Sequence, residues 1–496
     1  MPDFSEATRQ LAAAIGAEQV RTDEPSRFAA SFDNSRFSFM PAAVVLPRDE
    51  ADIAALLRLA NKHRVPVTVR GAGSGCAGAA APLRGGWVLQ LAHWTDIEID
   101  AAASLAHVRP GALTGDIADA AAAHALFYPP DPSSVKYCTI GGNIATNAGG
   151  LRAAKYGVCR DYVLGLEGFL PTGEFVRWGA PLRKYVSGYN MKDLWIGSEG
   201  TLGVITKAVL KLIPRPLLRH TFLTAFATDE AALAAAVALL SAHVAPSVLE
   251  FLDTQTVACA EQRNGFPVFP KTELAADSVG DGNDDGAAGG VPAVLLVEVD
   301  GSHPDALAAD AERVREWARR HARAFRETAD VAEAEKLWNV RRTCSQAMFL
   351  LGNAKLNEDI VVPLSGYAPL IQFTREIKAR TGLATPTFGH AADGNFHIHI
   401  MYDRDDAAQC RRAEEGILLM MQKVVELGGA ITGEHGIGIT KSPFLRLQHT
   451  PAEIAAMLAI KRALDPNNIL APDQIFEVTN VWEHRPVKVT LPWDKH

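Results

Sequence analysis

Glycine placement constrains this chain more than any other feature of its sequence. Three segments between residues 70 and 203 combine glycine with small polar residues: Arg70-Gly-Ala-Gly-Ser-Gly75, Thr139-Ile-Gly-Gly-Asn-Ile-Ala-Thr-Asn-Ala-Gly-Gly150 and Gly197-Ser-Glu-Gly-Thr-Leu-Gly203. Glycine lets bare backbone amides approach a ligand closely, and successive amides form a concavity that suits an anion. Gly71, Ala72, Gly73, Ser74 and Gly75 suit such a cradle. Gly141, Gly142, Gly149 and Gly150 repeat it, with Asn143, Thr146 and Asn147 adding hydrogen-bonding side chains. One such segment is an ordinary turn; three in one block predict a large phosphate-bearing cofactor. Gly73-x-Gly75-x-x-Gly78 also meets the minimal dinucleotide fingerprint, which requires a helix on that turn and an acidic residue about 20 positions on. The stretch Ala79–Gly86 is instead broken by Pro82 and two glycines, and the next strand runs out at Gln90, Leu91 and His93. A Rossmann domain is therefore not expected.

Strand-like and helix-like patterns alternate around these segments. Pro41–Pro47 and Val65–Arg70 read as strands, and Asp49–His63 sets Ile53, Leu56, Leu57, Leu59 and Ala60 at helical spacing with Asp49 placed to cap. Tyr162–Leu170 and Glu174–Trp178 flank Pro171-Thr-Gly173, a hairpin signal, and Gly203–Ile213 closes the block as a strand. Pro214-Arg-Pro216 marks a boundary. Beyond it, strands at Thr221–Ala227, Ser247–Asp253 and Ala293–Asp300, with helices at Glu230–Ala242 and Pro304–Ala324, predict an α+β domain on an antiparallel sheet. The acidic, glycine-rich stretch 272–291 reads as a mobile surface loop. The expected division is 1–215, 216–425 and a C-terminal helical segment 426–496.

Composition removes several classes of function. With 49 basic and 57 acidic side chains the net charge is −8, and no basic face for nucleic acid is expected. The 6 cysteines are dispersed without a Cys-x-x-Cys pair, against a disulfide framework, an iron–sulfur cluster or a cysteine zinc site. No run reaches the ~18 apolar residues of a membrane-spanning helix. Met1–Val20 carries Asp3, Glu6 and Glu18 rather than the pattern of a signal peptide, so the cytoplasm is the expected compartment.

A second kind of chemistry gathers near the end of the chain. In Phe388-Gly-His-Ala-Ala-Asp-Gly-Asn-Phe-His-Ile-His-Ile400, alternation along a strand puts His397 and His399 on one face, and the Asp393-Gly394 turn signal would fold His390 back beside His397. Thr432-Gly-Glu-His-Gly-Ile-Gly438 adds a carboxylate and an imidazole. Two imidazoles and a carboxylate with an open position suit Zn²⁺, with Mn²⁺ as the harder alternative. Leu337-Trp-Asn-Val-Arg-Arg342 supplies guanidinium groups whose planar fork matches a carboxylate.

Together these motifs resemble the vanillyl-alcohol-oxidase-type flavoproteins and, within them, the D-2-hydroxyacid dehydrogenase branch: D-lactate dehydrogenase, the glycolate oxidase flavin subunit and D-2-hydroxyglutarate dehydrogenase. The resemblance runs from residue 35 to residue 475. It implies an α+β fold, with a two-part FAD-binding domain and an antiparallel-sheet substrate or cap domain. It implies FAD, with Arg70–Gly75 on the pyrophosphate and further contacts from Pro130, Asp131, Ser133, Gly141, Gly142, Asn143, Thr146, Asn147, Gly149, Gly150, Glu199, Gly200, Gly203, Ile205 and Asn468. Relatives with a histidyl-linked flavin have their linking residue where Ser74 stands here, so the implied FAD is non-covalent.

The family motifs Gly-His-x-x-Asp-Gly-Asn-x-His and Gly-Glu-His-Gly carry the metal-ligand role to His390, His397 and Glu434 and the general-base role to His435; His399 matches no ligand. Trp-x-x-Arg picks out Arg341 as the substrate-carboxylate clamp, with Ser345 where relatives place a substrate-binding hydroxyl. Counting back from Pro363, the lysine of hydroxyglutarate-type enzymes falls at Asn357, with Lys355 two positions away. The closing segment has Ala471-Pro-Asp-Gln474 in place of the family's Asn-Pro-Gly-Lys.

The implied reaction is metal-assisted oxidation of a small D-2-hydroxyacid, D-lactate first. His435 takes the hydroxyl proton, the hydride goes to flavin N5, and an acceptor other than NAD (quinone, cytochrome or electron-transfer flavoprotein) removes the electrons. Glycolate and D-2-hydroxyglutarate are the alternative substrates. A homodimer, and peripheral attachment at the inner membrane, are the assembly and location considered beside a plain cytoplasmic enzyme. The rival from another class is a metal-dependent hydrolase.

Overall fold

The computed structural model describes residues 3–270, 272–274, 290–481 and 487, so most of the 272–291 stretch lies outside the described residues. The chain divides into two units: Met1–Gly150 with Gly157–Arg215 and Glu434–His496, and Leu151–Tyr156 with Pro216–Gly433. The chain passes between them on either side of Leu151–Tyr156, at Arg215 and after Gly433. It stays on the second unit's sheet after the helix Ala407–Glu426, where Val361 and Ala430 exchange backbone hydrogen bonds of 3.0 and 2.8 Å.

The first unit holds strands β1 (Val20–Arg21), β2 (Ala43–Val45), β3 (Val67–Arg70), β4 (Trp87–Gln90), β5 (Ile97–Asp100), β6 (Leu105–Val108), β7 (Leu126–Phe127), β8 (Val163–Phe169), β9 (Phe175–Gly179), β10 (Val204–Lys211) and β11 (Ile213–Pro214). They form a four-stranded sheet in the order β1-β2-β4-β3, a five-stranded sheet in the order β5-β6-β10-β8-β9, and the pair β11-β7. The β2–β4 and β3–β4 pairings are parallel, and β2 and the Trp87–Leu89 part of β4 are buried apolar runs, as suits strands covered on both faces. Helix Glu50–His63 covers them with Ile53, Leu56, Leu57 and Ala60, and the Asp49 side chain caps it by accepting from Ala51 and Asp52 amides at 2.9 and 3.1 Å. The β8–β9 hairpin forms where the Pro-Thr-Gly signal put it. The C-terminal segment completes this unit. Val67 N donates to Ile469 O (2.7 Å), Ala471 N donates to Val67 O (2.8 Å), and buried Lys461 donates to Thr201 O (2.9 Å), Asp465 Oδ2 (2.5 Å) and Leu470 O (2.8 Å).

The second unit is one seven-stranded antiparallel sheet of β12 (Leu218–Phe226), β13 (Val248–Leu252), β14 (Ala293–Gly301), β15 (Ala324–Thr328), β16 (Ala354–Val361), β17 (Thr387–His390) and β18 (Asn395–Tyr402). Its order is β15-β12-β14-β13-β17-β18-β16. Helices stand at Asp229–Leu240 and Pro304–His321, as the periodicity predicts, and at Val331–Ala347, which the periodicity did not single out. The last lies on the sheet: Trp338 and Cys344 share a core with Leu223, Leu296 and Phe388, and Trp338 Nε1 donates to Glu298 at 3.3 Å. The fold is α+β, as expected.

Candidate active site

In an antiparallel sheet, directly opposed residues share a face and alternate residues repeat it. The register opposes Glu250 of β13 to His390 of β17, His390 to Asn395 of β18, and Phe388 to His397. It further opposes Asp359 of β16 to His397, and Asn357 to His399. One face of the second unit's sheet therefore gathers Glu250, His390, His397, His399, Lys355, Asn357 and Asp359. The β17–β18 hairpin turns at Gly394 (φ +83°) and stands the His390 and His397 rings perpendicular at 5.5 Å, the juxtaposition the Asp-Gly signal suggested.

Glu250 is the centre of this face and was not among the expected residues. It is fully buried, one oxygen contacting His390 Nδ1 and the other accepting from Arg341 Nε at 2.6 Å. Burial alone would push its carboxyl up, but the His390 imidazole and the Arg341 guanidinium beside it hold it down at about 2. The Arg341 guanidinium carbon lies 4.2 Å above the Phe388 ring, so stacking and the ion pair together fix its plane. Ser345 is one helical turn beyond Arg341, and Lys355 Nζ donates to Ser345 Oγ at 2.8 Å. On this face Asn357 Oδ1 and His399 Nε2 are buried with no hydrogen-bond partner among the described residues. Burial, then the Lys355 charge, pushes the His399 imidazole well below its ordinary range. Buried polar atoms are rarely left without partners in a protein interior, so this pair is open to a polar ligand.

The fit of a divalent cation rests on donor chemistry. With the Nδ1 proton of His390 on Glu250, its lone pair is on Nε2, the usual arrangement for a metal-bound imidazole. Asp359, also unforeseen and fully buried, accepts from Thr432 Oγ1 (2.9 Å), Gly433 N (2.9 Å) and Asn395 Nδ2 (2.7 Å). It thereby anchors the backbone that continues into Glu434, whose Cα is one trans peptide, about 3.8 Å, from that of Gly433. His390, His397 and Glu434 each offer one ligand atom of a kind that holds a metal ion. This donor set fits a borderline or hard cation.

The first unit builds its glycine segments differently from the simple reading. Gly73 has φ +70°, and a Cβ there would stand 2.2 Å from Arg70 Nη2. Arg70 itself turns inward, donating to Phe32 O (2.7 Å) and Ala80 O (3.4 Å), so its guanidinium supports the loop. The Cβ direction of Gly75 is open. Thr139 Oγ1 is buried without a partner, 2.2 Å from where a Gly71 Cβ would be and 3.5 Å from that of Gly142. An orphaned hydroxyl between two side-chain-free amide segments fits a phosphate-bearing cofactor such as FAD.

The Thr139–Gly150 segment contains a helix, Ile140–Thr146, closed by Asn147 at φ +52°. Its polar side chains are engaged internally. Asn143 Nδ2 donates to Thr114 Oγ1 (2.6 Å), Thr146 Oγ1 donates to Gly142 O (3.2 Å), and Asn147 Oδ1 accepts from Arg160 N (2.9 Å). A Cβ on Gly150 would meet Asp131 O at 2.4 Å, which packs the Pro130–Asp131 loop against this segment; Ser133 is exposed. Glu199, expected at the cofactor, accepts from the Ile437 and Gly438 amides with its two carboxylate oxygens at 2.8 Å each, holding the backbone that follows His435. Burial pushes its carboxyl up to about 7 although those amides oppose the shift. Gly200 has φ +75°, and Gly203 is needed because a Cβ would strike the Trp195 ring at 2.3 Å. Ile205 lies in β10, and Asn468 (φ +48°) turns the closing segment back along β3.

Comparison with known proteins agrees with this architecture. Residues 215–475 match the C-terminal domain of FAD linked oxidases and residues 41–179 match an FAD binding domain. The chain belongs to the FAD-linked oxidases. Within that family it is 38% identical to the glycolate oxidase subunit GlcD of Bacillus subtilis over 472 residues, 94% of this chain and 96% of the relative. It is 35% identical to a D-lactate dehydrogenase of Anaerostipes hadrus over 442 residues, 88% of this chain and 89% of the relative. The fold matches 4-ethylphenol oxidase from Gulosibacter chungangensis with a TM-score of 0.76 at 18% identity, covering 97% of this chain and 98% of that one. Among the described residues no helix is long and apolar enough to cross a membrane.

Proposed function

We propose that this protein oxidises a small D-2-hydroxyacid, D-lactate first, to the 2-oxoacid, with non-covalent FAD and a divalent cation, zinc before manganese. FAD supplies the two-electron acceptor and the cation supplies a Lewis acid for the α-hydroxyl. Arg341 binds the substrate carboxylate through its Nη groups, with Ser345 beside it. His390, His397 and Glu434 hold the cation. His435 removes the hydroxyl proton, an assistance worth about 10²–10⁴ in rate. The observation that carries the reading is the single sheet face on which two histidines, a fixed guanidinium and two unpartnered buried polar atoms converge. Lys355 has Ser345 for a partner, which favours a short acid over a diacid needing a distal cation.

The GlcD relative supports glycolate as the second substrate; the two acids differ by one methyl, worth about 1–3 kcal/mol in a pocket. Electrons leave to a quinone, cytochrome or electron-transfer flavoprotein in the cytoplasm or at the inner membrane face. The test is anaerobic mixing of the yellow protein with D-lactate, L-lactate, glycolate and D-2-hydroxyglutarate while the flavin band is followed. Bleaching by D-lactate or glycolate that stops on chelation and returns with Zn²⁺ or Mn²⁺ is the expected result. A flavin that none of the acids bleaches overturns the reading, and a colourless active preparation favours a metal-dependent hydrolase.

A further inference from the structure

Glu250 belongs to no motif of the proposed reaction, yet it touches two residues that the reaction uses. It is the one ionisable residue of β13, where Val248, Leu249, Phe251 and Leu252 are all buried apolar side chains. A carboxylate in such a run is costly unless both oxygens are matched. One is matched by His390 and the other by Arg341, across the β13–β17 register and from the helix above it. A buried ion pair is poor evidence of added stability, since apolar side chains of similar volume often serve as well. Its partners are the better evidence of its use.

We propose that Glu250 is a positioning residue that orients His390 toward the cation and Arg341 toward the hydroxyacid carboxylate at once. This rests on the roles given to His390 and Arg341 above. A carboxylate on Nδ1–H holds the imidazole in the tautomer with its lone pair on Nε2 and raises its strength as a ligand. A carboxylate on Nε fixes the guanidinium plane and leaves the Nη edge to fork onto a second carboxylate. One side chain thereby aligns both anchors of a 2-hydroxyacid, the hydroxyl side through the cation and the carboxylate side through Arg341.

The experiment compares wild-type holoenzyme with Glu250→Gln and Glu250→Asp. Co²⁺ replaces the native metal as a spectroscopic probe, and oxalate serves as an unreactive dicarboxylate that perturbs the flavin band. Glu250→Gln keeps its FAD, binds Co²⁺ about 10–100-fold more weakly, shows a displaced d–d band, and binds oxalate more weakly. Glu250→Asp, which keeps the charge but is too short to span both partners, falls between, and it preserves the test if the glutamine variant does not fold. If both variants match wild type in Co²⁺ affinity, band position and oxalate affinity, the assignment of Glu250 is overturned while the proposed function stands. If wild type takes up neither Co²⁺ nor Zn²⁺, the cation site itself is overturned and the Glu250 assignment goes with it.

Discussion

Replacing Arg341 by methionine removes the proposed carboxylate clamp while keeping a chain of similar length against Phe388. Glu250 uses only the Nε proton, so four N–H donors remain on the two Nη atoms. A forked pair of these on a substrate carboxylate is two charge-assisted hydrogen bonds. At about 1.5–3 kcal/mol each they sum to roughly 3–6 kcal/mol. Each 1.36 kcal/mol is tenfold in rate, so kcat/KM for D-lactate or glycolate is expected to fall by about 10²–10⁴. Glu250 keeps His390 as a partner, so metal content should change less than turnover. Arg341→Lys should recover little, because one ammonium serves either Glu250 or the substrate but lacks the planar fork for both. The assay is steady-state oxidation with a dye acceptor, alongside FAD content, metal content and reduction by dithionite. A methionine variant with kcat/KM within threefold of wild type, and with FAD and metal intact, would refute the clamp.

Three further outcomes follow from the same geometry. His435→Ala should retain FAD and bind oxalate but lose bleaching by hydroxyacid by about 10²–10⁴ in rate, and unchanged bleaching in stopped flow would remove it as the base. Glu199 has a folded-state carboxyl near 7 against an ordinary 4.5, so its stabilising contribution is full below pH 4.5 and is lost as pH rises through 7. A rise from 4.5 to about 7 corresponds to roughly 3 kcal/mol, so wild-type melting should drop between pH 5 and 8 by more than that of Glu199→Gln, and parallel curves would contradict this. Gly73→Ala, placing a Cβ 2.2 Å from Arg70 Nη2 at φ +70°, should lower FAD retention on desalting; retention equal to wild type would count against a cofactor cradle here.

What could be read in the sequence was what local rules govern. The Asp393-Gly394 turn and strand alternation placed His390 beside His397 because hairpin register is set within a few residues. The Asp49 cap and the β8–β9 hairpin are local in the same way. Glu250 was hidden because its partners lie 140 and 91 residues away along the chain, and its only signal was an acid inside the apolar run Val248–Leu252. Asp359 was missed for the same reason: it holds Thr432 and Gly433 from 73 and 74 residues away.

The glycine segments are less legible by local rules. Thr114 and Arg160 engage Asn143 and Asn147 from 29 and 13 residues away. Gly141 sits in a helix despite its poor propensity because a Cβ there would be 2.7 Å from Pro110 Cβ, so packing overrides intrinsic preference.

The three-part make-up of the first unit has a consequence for biosynthesis. A ribosome completes every residue of the sheet β12–β18 before it makes Lys461, Leu470 or Ala471. The second unit's sheet is thus fully translated while Val67 still lacks the segment that pairs with it. A premature stop anywhere before Leu470 removes that pairing and leaves the β3 edge open.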